Sequence, residues 1–287
     1  MCEESVVAID APPSIGGESV IRAIRDVTDK PISHVIYSHY HGDHIGHADV
    51  FPSDAVRIGQ AETAALLKRF ADPRRPPLDV TFGERYRLEV GGQTIDLIYR
   101  GPNHAPGNIF VHVPEHRVMM CVDLFYPGWV PFANIAMSKD IPGFVQHHDY
   151  ALELDFEYLI PGHLTRLGNR HDVEIAREYI LDVRNAAQNA LDHCQVTNAQ
   201  AAAEVGTENV YVYFKLLYDK AVGKASANLI EKWSGRLGGV ETFGANHVFI
   251  MFQSLRLDNN ASPHVVFFPP AGPRPTAMRQ PAITAQS

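Results

Sequence analysis

Apolar positions along the chain recur with two periods, and these predict the elements. Residues 5–10 (SVVAID) form a β-branched run that ends in an acid and meets Pro12-Pro13, which predicts a buried strand and a turn. Residues 18–28 place Val20, Ile21, Ile24 and Val27 at helical spacing. Residues 34–37 read as the next buried strand, which delivers the chain to SHYHGDHIG. Further strands are predicted at 56–58, 86–90, 94–99, 108–113 and 117–121, with Gly91-Gly92 and Pro114-Glu115 as turns. Helices are predicted over 60–70 and 141–154. Strands that alternate with helices and then gather into hairpins predict an α/β sandwich rather than a wholly parallel sheet.

Beyond His163 the texture changes. Over 173–194, Ala176, Tyr179, Ile180, Val183, Ala187, Ala190, Leu191 and Cys194 share one helical face. Thr197-Asn198 is expected to cap an alanine-rich helix, 209–237 reads as one or two more helices, and 246–257 returns to an apolar, strand-like run. From Ala261 onward the chain is rich in proline, lacks acidic residues and shows no period, which predicts a mobile tail. The expected division is a domain over 1–172, a mainly helical extension over 173–258 and a proline-rich tail over 259–287.

Composition narrows the function classes. At 287 residues, 45% hydrophobic and 20% charged, the chain can bury a sizeable core without disulfides. A formal charge of -8 argues against a nucleic-acid partner, which needs a concentrated Lys/Arg surface. The densest basic stretch, 68–75, is short, broken by prolines and expected to be a solvated loop. Cys2, Cys121 and Cys194 have no metal-type spacing and form no disulfide framework, so the expected setting is reduced and cytoplasmic. No stretch reaches the roughly 18–20 apolar residues that span a bilayer, and no secretory signal is visible.

Histidine changes the picture most, with 15 in the chain and several in tight polar clusters. In His39-Tyr40-His41-Gly42-Asp43-His44, four nitrogen and oxygen donors follow directly on a buried strand. Zinc takes such ligands readily, and a mixture of imidazole and carboxylate suits catalysis better than structure. His39 and His41, two apart, face the same way from an extended segment, while Gly42 can turn the chain so that Asp43 and His44 reach a second ion. Three more donors stand where buried strands meet loops: His104 in GPNHAPGN, Asp123 after the run 118–122, and His163 in IPGH.

HxHxDH, then a His-Ala-Pro-Gly loop, a strand-ending Asp and Pro-Gly-His resemble the metallo-β-lactamase superfamily, in the expected order over about residues 5–165. The resemblance implies an αββα sandwich with the metals at the edge between the sheets. It implies that His39, His41 and His104 hold one Zn2+, that Asp43, His44 and His163 hold the other, and that Asp123 bridges them. Asp10 matches the family's strand-ending acid, implying a role in orienting the metal loop. Two ions roughly 3.5–4 Å apart can hold a hydroxide that attacks a carbonyl, so no Ser or Cys nucleophile is needed. Cys121 is expected in the core.

The same resemblance narrows the activity. Similar true β-lactamases put a cysteine or no ligand where Asp123 stands, whereas lactonases, glyoxalase II-like thioesterases and phosphodiesterases bridge with Asp. Tyr126 resembles the tyrosine that acyl-homoserine lactonases aim at the substrate carbonyl, although Phe125-Tyr126-Pro127 can equally be loop packing. Asp43 and Tyr126 are the residues expected to take a direct catalytic part. The expected activity is therefore hydrolysis of an ester or lactone of small-molecule size. A β-lactamase, a glyoxalase II-like thioesterase and a metal-binding module without hydrolysis stand as alternatives. Similar proteins carry two or three strands before the one ending in Asp10, so the expectation is that N-terminal strands are missing here. An edge left open in that way is expected to be covered by the tail and helices, or by a partner chain in a homo-dimer.

Overall fold

The computed structural model describes residues 2–13, 17–163 and 166–258; the tail expected over 259–287 lies outside the described residues. Two sheets pack face to face. The first is parallel, in the order β1 (Val6–Ile9), β2 (Ile32–Ile36), β3 (Val56–Gln60) and β4 (Val80–Phe82). Parallel neighbours need crossovers, and α1 (Gly17–Arg25), α2 (Gly42–Ile45) and α3 (Ala61–Phe70) lie within them. The second sheet runs β5 (Arg85–Val90), β6 (Gln93–Ile98), β7 (Phe110–Val113) and β8 (Val118–Met120), each antiparallel to the last. A crossover through α4 (Ala133–Met137) and α5 (Ile141–Leu152) then brings β9 (Tyr158–Ile160) parallel to β8.

Alternation along the strands builds the layers. Ile36, Leu97, Val111 and Met120 point between the sheets and meet Ile58, Phe82, Leu88 and Ile95 there. Val35, one position from Ile36, points outward with Ile32 against Val20, Ile21 and Ile24 of α1 and Leu67 of α3. Ile98, Phe110 and Met119 point outward from the second sheet onto Phe144 of α5. The result is an αββα sandwich.

The outer cluster continues into four further helices: α6 (Arg170–Asp192), α7 (Cys194–Val205), α8 (Val210–Trp233) and α9 (Val240–Leu257). Asn169 and Asp172 form a reciprocal capping box that starts α6. Tyr179, Val183 and Ala187 of α6 pack on Leu229 and Trp233 of α8 and on Val248, Met251 and Phe252 of α9. Each large apolar side chain buried there contributes roughly 1.5–3 kcal/mol.

Three expectations are corrected. Residues 246–257 are helix, not strand: Gly244, His247, Val248, Met251, Phe252 and Leu255 form a buried stripe at helical spacing between α6 and α8. The alanine-rich helix starts at Cys194, upstream of Thr197-Asn198, and carries no side-chain cap at its first turn. Stretch 68–75 is not simply a solvated loop. Lys68 and Arg69 end α3, and the largely buried Arg75 donates from Nη1 to the Tyr40 carbonyl at 2.8 Å.

Candidate metal centre

The segments that follow β1, β2, β6, β8 and β9 converge on one end of the sandwich. Asp10 and Asp123 each end a strand with a left-handed backbone, at φ 60° and 64°. Asp10 Oδ1 accepts from the Ser38 N–H at 2.8 Å, which fixes the backbone just ahead of His39. His39 follows in extended chain, His41 sits at the start of α2, and α2 itself carries Asp43 and His44. Arg75 holds the Tyr40 carbonyl from behind, and Phe70 stacks on the Tyr40 ring.

His104 depends on a buried pair of amides that sequence reasoning missed. Asn108 Nδ2 donates to Asn103 Oδ1 at 2.9 Å and to the Val122 carbonyl at 3.1 Å, tying the His104 loop to the strand end that carries Asp123. The signal was there in the asparagines flanking His104, which have no reason to be buried unless paired. His163 comes close because Gly162, at φ 88°, has no side chain; a Cβ there would lie 2.7 Å from Val122.

All seven sequence-predicted donors meet around Asp123. Its Oδ2 lies 3.0 Å from His44 Nε2, 3.2 Å from His104 Nε2 and 3.5 Å from His39 Nε2, and its Oδ1 lies 2.8 Å from His163 Nε2. His41 Nδ1 is 3.0 Å from His104 Nε2, and His44 Nε2 is 3.3 Å from His163 Nε2. Asp43 Oδ2 stands 3.7 Å from His163 Nε2. One group (His39, His41, His104, Asp123) and a second (Asp43, His44, His163) each bring their potential ligand atoms within 4.8 Å of one another.

The electrostatics fit a cation. Burial holds His39 well below the usual imidazole range, lowers His41 to about 4 and lowers His104, which favours the neutral rings that a cation binds. His44 is also buried, but the Asp10 and Asp123 carboxylates outweigh that and raise it to about 10. For Asp123 burial acts upward, yet His163 and His44 prevail and hold its carboxyl well below the carboxylate range. Among the described residues His39 Nε2 is buried without a hydrogen-bond partner, which is costly for a polar atom unless something else satisfies it. The residues present fit a metal ion.

The cluster floors a cavity of about 610 Å³ whose remaining lining includes Tyr126, Phe132, Ala136, Met137 and Lys139. Tyr126 is buried, and among the described residues its hydroxyl makes one long contact, 3.4 Å to the Asp123 carbonyl. Cys121 is buried in the core behind the strand end, as its sequence position implied. Residues 134–137 along this wall all have left-handed backbone, which costs a non-glycine residue about 1–2 kcal/mol.

The family model of the metallo-beta-lactamase superfamily matches residues 13–163. The 2,4-dinitroanisole O-demethylase subunit alpha of Nocardioides sp. is 32% identical over 143 residues, which cover 49% of this chain and 43% of that subunit. The acyl-coenzyme A thioesterase MBLAC2 of Gallus gallus is 25% identical over 177 residues, 50% of this chain and 61% of that enzyme. The chain thus matches less than two thirds of either relative. Among solved structures, a metallo-beta-lactamase from Pontibacter korlensis superposes with a TM-score of 0.52 at 19% identity, covering 62% of this chain and 83% of that one. With its motifs in order on an αββα sandwich and more than half its length inside the family match, the chain belongs to the metallo-beta-lactamase superfamily.

Proposed function

We propose that this chain is a binuclear zinc hydrolase acting on the carbonyl of an ester or lactone. The observation that supports it best is the convergence of seven imidazole and carboxylate donors around Asp123, at the floor of a cavity with an apolar wall. In this reading His39, His41 and His104 hold one ion, Asp43, His44 and His163 the other, and Asp123 lies between them. When bound, such ions supply an activated water at neutral pH and polarise the carbonyl.

The chain's own residues do the rest. Phe132, Ala136 and Met137 receive the apolar body of the substrate. Burial pushes the Tyr126 phenol up, so at neutral pH it keeps its proton and acts as a donor. Its long contact to the Asp123 carbonyl is weak enough to be exchanged for a developing oxyanion. Asp43, exposed at the pocket mouth, is placed to pass a proton toward the leaving oxygen.

The similarity to a thioesterase and to an O-demethylase subunit favours, as a second reading, a thioester or an activated aryl ether in place of the ester. That one relative is a subunit supports an oligomeric form. Among the described residues no helix is long and apolar enough to cross a membrane. The free, buried Cys2 and Cys121 support a reducing, cytoplasmic setting.

Zinc-loaded protein should be assayed against a lactone, an aryl ester, an acyl thioester, 2,4-dinitroanisole and nitrocefin. Turnover of the lactone or ester above the others is expected. Preference for the thioester or the ether would move the assignment to the second reading, and efficient nitrocefin cleavage with the others inert would overturn both.

A further inference from the structure

Asn134, Ile135, Ala136 and Met137 form a left-handed helical turn, with φ of 58°, 52°, 55° and 56°. L-residues avoid this conformation because Cβ crowds the following carbonyl, and a β-branched residue such as Ile135 tolerates it least. Such a run persists only where its surroundings over-determine it.

The surroundings act from two directions. From the helical extension, Asn246 of α9 accepts from the Asn134 N–H and donates to Asn134 Oδ1 at 3.0 Å. His247 Nε2 lies 3.0 Å from the Phe132 carbonyl, and its Nδ1 lies 2.8 Å from the Tyr179 hydroxyl. A carbonyl only accepts, so Nε2 carries the proton and the Tyr179 hydroxyl donates to Nδ1. Ahead of the turn, the Val130 N–H donates to the Gly238 carbonyl at 3.0 Å. From the metal side, the Lys139 N–H donates to the His104 carbonyl and the Asp140 N–H to the Asn103 carbonyl, both at 3.0 Å. The strained turn therefore joins α9 to a potential ligand, and its side chains wall the cavity.

We propose that α9 is a positioning element of the metal pocket, with Asn246 and His247 holding residues 132–137 in the left-handed turn that sets the apolar wall and backs His104. The effect on substrate and metal rests on the proposed function; the hold of α9 on the turn does not. Asn246 is the sharper probe, because among the described residues its side chain bonds only to the turn, at Asn134, and alanine suits a helix.

In the full chain, Asn246→Ala should speed amide exchange over 133–138 by about tenfold while α6 keeps its protection. Zinc affinity, read by chelator competition, should weaken at least about threefold, since a group behind a metal-binding histidine steadies it. With the best substrate, KM should rise more than kcat falls. Adding Asn134→Gly to Asn246→Ala should restore part of the protection, because glycine adopts φ 58° without the Cβ penalty. Unchanged exchange in Asn246→Ala would overturn the proposal. So would faster exchange with zinc affinity and KM both unchanged, which would detach the turn from the pocket. If the wild-type protein takes up no zinc, the proposed function fails on its own, and exchange with its glycine rescue still decides whether α9 holds the turn.

Discussion

Acid should destabilise the apoprotein through two histidines that stand outside the metal cluster. His247 and His148 are buried, and burial lowers both to about 4 even though each donates to a backbone carbonyl. In the unfolded chain they titrate near 6.5. Between those values the unfolded state binds more protons, so stability is full above pH 6.5, falls as the pH drops toward 4 and levels off below it. Each group then contributes on the order of 3 kcal/mol to the loss, at about 1.4 kcal/mol per pKa unit. Two such groups cost about 6–7 kcal/mol, comparable with the total stability of about 5–15 kcal/mol expected of a globular protein. Urea unfolding of chelator-treated protein at intervals from pH 7 to 4 measures this. His247→Gln is the informative variant, since glutamine offers a donor for the Phe132 carbonyl and an acceptor for the Tyr179 hydroxyl but cannot titrate. It should flatten the slope by up to about 1.4 kcal/mol per pH unit, and histidines common to both proteins cancel in the comparison. A variant with the wild-type slope would refute the reasoning.

Other substitutions probe the cluster directly. Asp123→Ala should harm activity far more than Cys121→Ala, because the first removes the charge that four imidazoles surround and the second a small buried apolar group; similar losses in two folded variants would contradict this. Tyr126→Phe should lower kcat by about ten- to a thousandfold with KM little changed, and the reverse split would make the residue a pocket wall. Asp10→Ala should weaken zinc binding about 10–100-fold in a competition assay, because the carboxylate steadies both the Ser38 N–H and the His44 ring; unchanged affinity would deny it that role.

What was legible in the sequence follows from range. His39, His41, Asp43 and His44 lie close together, and apolar runs that end just ahead of His104, Asp123 and His163 bring these three to the same end. The supports that work through a distant partner were not legible: Arg75 reaches Tyr40 across 35 positions, and Asn246 reaches Asn134 across 112. Nothing local marks such a residue as different from any surface polar group. The misreading of 246–257 has a related cause. A helix buried on several sides is apolar almost all round, so its period blurs, and only Val240 and Gly244 upstream would have extended the stripe far enough to show it. Helix α2, with four residues, and strand β4, with three, are too short for any period to register.

The central claim is that the seven donors hold two zinc ions. Elemental analysis of protein purified without chelators, repeated across falling pH, tests it most directly. Close to two equivalents per chain are expected, lost on acidification as the ligands take up protons. A single equivalent in fully active protein would contradict the binuclear centre.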